Sequence, residues 1–249
     1  MNVSLRKINA ILQLKIKLIV GNLSILFAPI FSILFVVVMK QLMPNVDVGE
    51  GGVPFSTDTF LLSFGLIFNI AISGISMSSS PIAEEKEKNT LRVLMTSSVN
   101  GLEYFIGTMI PTFVILVTVN MVLVPISGLS FSEVPLGSYF VVTTVASLIS
   151  IVIGYIIGIY AKNQAQASLV STPILLLLTA TPVLRIFNED LANILNYTYG
   201  GVLANLAESL SSDGAYQWNL HDSAVLLVWF LGALGIFVYA YKKNGIDQG

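Results

Sequence analysis

Six continuous apolar runs, at residues 20–39, 60–79, 105–126, 139–160, 167–187 and 223–241, dominate this chain. Each has about the 20 residues that an α-helix needs to cross a hydrocarbon core of roughly 30 Å. A soluble fold of 249 residues could not hide that much apolar surface: 55 % of the residues are hydrophobic, only 10 % are charged, and the mean hydropathy is +0.83. The runs do not alternate between apolar and polar residues, which excludes the strands of a membrane β-barrel. Pro29, Pro111, Pro173 and Pro182 fall inside them. Membrane helices tolerate such prolines where neighbouring helices or hydroxyls satisfy the freed carbonyls. The expected fold is an all-α membrane protein of six transmembrane helices, one domain over residues 1–249. There is no cysteine, so disulfides and thiolate metal sites are excluded.

Charge sets the expected orientation. With the N-terminus cytoplasmic, ten of the twelve basic residues face inward: Arg6, Lys7, Lys15, Lys17, Lys86, Lys88, Arg92, Lys162, Lys242 and Lys243. Lys40 and Arg185 stay outside, each near a helix end, with nine of the fourteen acids. This asymmetry predicts an N-in, C-in topology. Residues 1–19 lack the short apolar region and small-residue cleavage site of a signal peptide. Instead Leu5, Ile8, Leu12, Ile16 and Ile19 recur at spacings of 3, 4, 4 and 3, with Arg6, Lys7, Gln13 and Lys17 on other faces. That stripe predicts an amphipathic helix on the inner leaflet, its lysines beside anionic headgroups. The alternative is a cytoplasmic extension of the first span.

The densest charge lies in EEKEKNTLRVLMTSSVNGLEYFIG, residues 84–107. Glu84, Glu85 and Glu87 precede Lys88 and Arg92, an order that suits the dipole of a short helix over 84–98, and Glu84 with Lys88 forms an i, i+4 pair. Leu91, Leu94 and Met95 add a small apolar face. A charged helix with one apolar knob suits docking to another protein, and it equally suits a solvated connector resting on the bilayer. Enzyme chemistry finds little support: the sole histidine, His221, stands beside Asp222 without a serine dyad, an aspartate pair or a metal-ligand cluster. No G-x-x-x-x-G-K-[ST] phosphate loop occurs, so the chain supplies no ATPase. Among Asp, Glu, Lys, Arg and His only Arg185 enters an apolar run, which weakens an ion-driven carrier while leaving sodium binding by unwound carbonyls open.

Within the runs, Ala146, Ser150, Gly154 and Gly158 make a small-residue ridge that suits close helix packing, either inside one subunit or at a subunit interface. Asn69, Ser73, Ser76 and Asn120 are polar groups that either line a pathway or join helices. In residues 188–222, Leu191, Ile194 and Leu195, then Val202, Leu203, Leu206 and Leu210, repeat at helical spacing. Two short amphipathic helices broken at Gly200 and Gly201 are expected there, too short to span. Tyr197, Tyr199 and Trp218 suit an interfacial belt.

Glu87 to Pro111, EKNTLRVLMTSSVNGLEYFIGTMIP, resembles the cytoplasmic loop and following helix of the type 2 ATP-binding-cassette permeases. Their pattern runs approximately E-(K/R)-x-G-T-L-E-x-L-x-x-x-P and closes on a glutamate-aromatic pair and a glycine. Glu87, Thr90, Leu91, Leu94, Glu103, Tyr104, Gly107 and Pro111 match. Asn89 replaces the usual glycine, Ser98 the usual proline, and Arg92 a common acid. The connection AKNQAQAS and the ending YAYKKNGID fit the same plan. In that family two permeases pair, each resting on a separate ATPase subunit that binds ATP and Mg, and short cytoplasmic helices transmit the motion.

The resemblance implies that Glu84, Glu87, Lys88, Thr90, Leu91, Arg92 and Leu94 belong to a first coupling helix, and Lys162, Asn163 and Gln164 to a second contact. It also implies that residues 188–222 are re-entrant and cap the outer end of the pathway. The implied function is the permease subunit of an exporter in a bacterial cell membrane, a homo- or heterodimer that binds no nucleic acid. With no fixed charge at depth, the expected cargo is amphipathic or hydrophobic: a peptide, antimicrobial, drug or lipid-like molecule. The competing readings are an ion-coupled secondary transporter and a non-transporting scaffold or receptor.

Overall fold

The computed structural model describes residues 4–43, 56–96, 99–187, 189–210, 216 and 219–244. The ordered elements among them are helices: α1 (Leu5–Gly21), α2 (Leu23–Leu42), α3 (Thr57–Ile67), a π-helical turn (Phe68–Ser73), α4 (Gly74–Glu87), α5 (Thr90–Thr96), α6 (Gly101–Ser127), α7 (Leu136–Tyr160), α8 (Gln164–Phe187), α9 (Glu189–Leu195), α10 (Tyr199–Ser209) and α11 (Leu220–Asn244). Six of these segments are long and apolar enough to cross a membrane: Leu23–Leu42, Thr57–Glu87, Gly101–Ser127, Leu136–Tyr160, Gln164–Ile186 and Leu220–Lys243. Each predicted run falls on one of them. The second is longer than predicted, because α3, the π turn and α4 join into one rod.

Polar contacts at the helix ends show that the rods alternate in direction. Lys40, near the end of α2, donates to the Ser127 carbonyl at 3.0 Å and lies 3.9 Å from Asp58 at the start of α3. Gly128 ends α6 with a φ of +117°, and a Cβ there would strike both Lys40 and Asp58. At the other end, Lys86 of α4 reaches the last turn of α7, and Tyr241 of α11 packs against Gly101 at the start of α6. That end also carries α1 and α5, and with them most of the lysines and arginines. It is called the basic end below, and its opposite the far end.

The second rod is the centre of the bundle: 78 % of its apolar window is buried, against 17 % for Leu23–Leu42. Leu61, Leu62, Leu66, Ile67, Ile70 and Ile75 are fully buried. The outward faces of α2, α8 and α11 show Leu23, Phe27, Leu169, Leu176 and Val228, the surface expected to meet lipid tails. Lipid tails are as apolar as leucine, so close packing and interhelical hydrogen bonds must hold the helices together. Both occur here. A Cβ on Gly154 would sit 2.6 Å from the Ile75 carbonyl oxygen, and one on Gly158 would sit 3.0 Å from that of Ser79. Ser150 packs against Gly74. The small-residue ridge of α7 is therefore in contact with α4 inside one chain. At the π turn, the Asn69 carboxamide donates to the Leu116 carbonyl at 3.0 Å and to Asn120 Oδ1 at 2.8 Å, and Asn120 donates to Ser147 Oγ at 3.3 Å. Ser73 is buried on the same rod, and Ser76 is half-buried.

Three local features add to or depart from the sequence reading. The N-terminal helix is separate from α2, broken at Asn22, whose extended backbone and side-chain oxygen cap α2 through the Ser24 N–H. Its buried stripe is Ile8, Ile11, Lys15 and Ile19, while Leu5 and Ile16 face outward. The helix is turned by the acceptors that hold Lys15. Residues 84–98 do not form one helix either. α4 runs on to Glu87, Asn89 adopts a left-handed φ of 57°, and α5 starts afresh at Thr90. Asparagine tolerates that conformation better than other non-glycine residues. Ser98 and Trp218 lie outside the described residues, as does the side chain of Arg92.

The third departure concerns Gly200 and Gly201, which open α10 and do not mark its break. The chain turns at 196–198, where Thr198 Oγ1 accepts the Gly201 N–H at 3.0 Å as an N-cap. A Cβ on Gly201 would collide with the Leu195 carbonyl, so glycine permits the close approach of α9. Arg185 holds α10 to α8 by donating to the Gly201 carbonyl at 2.9 Å and to Asn205 at 2.7 Å, and it pairs with Glu208 at 3.0 Å. Burial raises the Glu208 pKa, and the Arg185 charge opposes that rise.

Candidate functional site

The basic end is organised around two carboxylates. Asn100 and Glu103 form a capping box that starts α6: Asn100 Oδ1 accepts the Glu103 N–H at 2.8 Å, and Glu103 accepts the Asn100 N–H at 3.0 Å. The second oxygen of the fully buried Glu103 accepts the Ser4 N–H at 2.8 Å, and Lys7 lies 3.8 Å away. One side chain thus begins α6 and fastens the start of α1.

Next along α6, Tyr104 donates to Glu85 Oε2 at 2.5 Å. Lys15 donates to the other Glu85 oxygen, and its ammonium stands 5.0 Å from the centre of the Tyr104 ring. The glutamate-aromatic pair of the sequence motif therefore ties α1, α4 and α6 together around α5.

On α5 the predicted apolar knob is divided. Leu91 is 3 % exposed and belongs to an apolar cluster with Ile11, Ile82 and Tyr104, so it faces the bundle. Leu94 is half-buried at the edge of that cluster, and Val93 is 67 % exposed. A seven-residue helix has one inward face, and the left-handed turn at Asn89 decides which residues occupy it. Glu84 accepts from Lys88 at 2.6 Å, and that bond and charge hold the Lys88 ammonium above its ordinary pKa. Thr90 Oγ1 donates to the Glu85 carbonyl at 3.2 Å.

The two segments singled out in the sequence meet. Glu87 accepts the Gln164 N–H at 3.2 Å. Beside it, Lys86 donates to the Ile159 and Ala161 carbonyls, each at 2.6 Å, closing the end of α7. Gln166 accepts the Lys162 N–H and Asn163 accepts the Gln166 N–H, both at 2.8 Å, which shapes the turn into α8. Glu87, Lys88, Thr90, Lys162, Asn163 and Gln164 are exposed and polar, with the exposed apolar Val93 beside them on α5, and the Glu87–Gln164 bond joins the two segments into one platform across α4, α5 and the α7–α8 turn.

Next to this platform an apolar cleft of about 440 Å³ opens between α1, α4, α5 and α6. Leu14, Leu18 and Met77 are among its apolar walls, and Glu84, Glu85 and Lys88 among its charged ones. Asn69, Ser73, Ser76 and Asn120, the candidate pathway groups, are absent from it.

Sequence reasoning missed Lys15, Glu85 and Lys86 as organising residues. A usable signal existed for the first: Ile8, Ile11, Lys15 and Ile19 are spaced 3, 4 and 4, an alternative stripe with a lysine in its middle. A lysine there requires a buried acid opposite it.

At the far end, Asp222 is buried and accepts from Asn205 at 3.2 Å and from the Tyr216 hydroxyl at 2.9 Å. Among the described residues no three His, Cys, Asp or Glu side chains are placed to share a metal ion.

A family model described as ABC-2 family transporter protein matches residues 40–240, from the end of the first long apolar helix to the end of the last. No curated protein matches the chain. The matched span contains the capping box at Asn100, the platform around Glu87 and five of the six long apolar helices. A bundle of this composition, matched over well more than half its length, is a membrane component without ATPase activity of its own, and the chain belongs to the ABC-2 family of transporter proteins.

Proposed function

We propose that this chain is the permease subunit of an ATP-driven exporter, with both termini cytoplasmic, paired with a second permease and carried on separate cytoplasmic ATPases that bind the ATP and Mg. The platform of Glu87, Lys88, Thr90, Val93 and Lys162 to Gln164 is the ATPase contact, and the meeting of Glu87 with Gln164 is the observation that carries this reading. Through it, one docking event engages three rods: a push on α5 passes into α4, and the bond from Glu87, with Lys86 on the α7 carbonyls, passes it to α7 and α8. The basic character of this end supports its cytoplasmic placement.

The cargo is amphipathic or hydrophobic. The apolar cleft between α1 and α5, with both signs of charge in its lining, suits a molecule with a greasy body and a polar head. The Asn69–Asn120–Ser147 chain joins three helices at depth, and in this reading it serves cohesion and not passage.

Co-purification tests the contact. Val93→Asp, at an exposed side chain, and Glu87→Lys, which also removes the acceptor of the Gln164 N–H, are expected to release the ATPase from the isolated complex and abolish transport. Unchanged pull-down with normal transport in both variants would refute the assignment. Uphill transport by the isolated chain in liposomes would favour the ion-coupled alternative.

A further inference from the structure

The far end holds a second cavity, of about 370 Å³, between α9, the turn into α10, and the start of α11. This size falls within the range of small-molecule sites, about 300–1,000 Å³. Its character is opposite to that of the apolar cleft. Asn193, Asn196 and Asn219 bring carboxamides to it, His221 an imidazole and Tyr197 an exposed ring, with Asp222 behind them. We infer that this pocket binds a saccharide, as a neutral hydroxyl-rich ring held by the asparagine carboxamides and His221 against Tyr197.

Charge narrows the class of ligand. An anion is disfavoured because no lysine or arginine is among the described residues that line the cavity, and the nearby Arg185 is already engaged by the Gly201 carbonyl, Asn205 and Glu208. A cation is disfavoured because Asp222, 1 % exposed and the one carboxylate among the described lining residues, already accepts from Asn205 on one oxygen and from Tyr216 on the other, with His221 Nδ1 3.4 Å from the first. A hydrocarbon is disfavoured by the polar lining. What is left is a neutral partner that both donates and accepts hydrogen bonds.

The groups available match such a partner. The Asn196 side-chain carbonyl oxygen is buried and has no hydrogen-bond partner among the described residues, an arrangement that costs about 1–3 kcal/mol unless something donates to it. Asn219 uses its carbonyl to accept the Asp222 N–H at 2.6 Å, which leaves its amide as a donor. Asn193 and Asn196 each carry an acceptor and two donors, the combination that a pair of adjacent hydroxyls can answer at once. Tyr197 is 67 % exposed, and its ring, edge-on to His221 at 5.0 Å, offers an apolar face to the C–H side of a sugar.

The inference does not depend on the exporter reading, since it needs neither an ATPase contact nor a transported cargo. It is tested on the purified full chain in phosphatidylcholine nanodiscs, by saturation-transfer NMR with glucose, galactose, N-acetylglucosamine and their disaccharides. A parallel set of nanodiscs carries glucosyl diacylglycerol. Signal from a soluble sugar identifies an aqueous ligand, and signal from the glycolipid headgroup alone identifies a lipid-borne one. Either is expected to weaken about tenfold in Asn196→Ala, through loss of a hydrogen bond to a desolvated group.

Asn193→Ala, at an exposed position, is a second variant expected to bind more weakly while keeping the wild-type melting curve. Lys243→Ala, at the basic end, should bind as wild type. Absence of saccharide signal in both nanodisc sets overturns the inference. So does binding unchanged in Asn193→Ala and Asn196→Ala, or displacement of the sugar by an uncharged peptide or a simple ammonium ion.

Discussion

Lys15 of α1 and Glu85 of α4 form an ion pair in which the ammonium is 3 % exposed and the carboxylate 13 %. Tyr104 completes it by donating to the free carboxylate oxygen. The pair fixes the rotation of α1 about its own axis, and with Ser4 on Glu103 it holds the start and the middle of that helix against the bundle.

Removing one partner should therefore cost far more than removing both. Lys15→Met leaves Glu85 largely buried with only Tyr104 as donor, and is expected to destabilise the protein by roughly 3 kcal/mol. The double variant Lys15→Met/Glu85→Gln should recover a large part of that loss. Thermal melts in one detergent at fixed pH provide the comparison, and a double variant less stable than the single would contradict the pairing.

Leu91 and Val93 are two residues apart and should behave in opposite ways. Leu91→Asp places a carboxylate without a partner in the cluster of Ile82 and Tyr104, so aggregation or loss of the folded peak in size-exclusion chromatography is expected. Val93→Asp should elute as wild type, because its side chain is exposed.

Gly154 and Gly232 separate packing from propensity. A Cβ on Gly154 meets a backbone carbonyl of α4, which cannot rotate away, and Gly154→Ala is expected to cost about 1–3 kcal/mol. Nothing lies within 4 Å of the same atom on Gly232, so Gly232→Ala should be neutral or slightly stabilising. Paired melting temperatures measure the difference.

Alkaline pH should weaken the far end. Burial, then the hydrogen bond to Asp222 and its charge, raise the Tyr216 pKa above its ordinary value of 10.0. Between the unfolded and folded pKa values the folded state binds more protons, so stability falls as pH rises. The contribution of Tyr216 is therefore complete below about pH 10 and declines above it. Tyr216→Phe should melt with a shallower dependence on pH in that range, and parallel curves for both proteins would refute the linkage.

Much of the bundle was legible in the chain. The six runs mark the long helices because backbone groups in hydrocarbon must be satisfied within the segment, which leaves a helix as the economical solution. The helix breaks were legible in part. Asn89 stands where a left-handed residue is needed, and its amide side chain tolerates that conformation. Gly200 and Gly201 misled, since glycine serves a turn and a close helix approach equally well, and only the Leu195 carbonyl beside Gly201 distinguishes them. At the candidate site, the glutamate-aromatic pair Glu103 and Tyr104 stood out as a pattern without a physical role. That role needs Ser4, Lys15 and Glu85, which come from 19 to 99 residues away.

The sequence by itself determined the solvent of this protein, the number of its long helices and the residues at which several of them stop, because these depend on composition and on local backbone preference. The tertiary structure alone decided that Leu91 turns inward, that Lys15 is buried, and that Glu87 meets Gln164. Helical spacing defines faces only up to a rotation about the axis, and the rotation is chosen by whichever distant partner satisfies the buried charge.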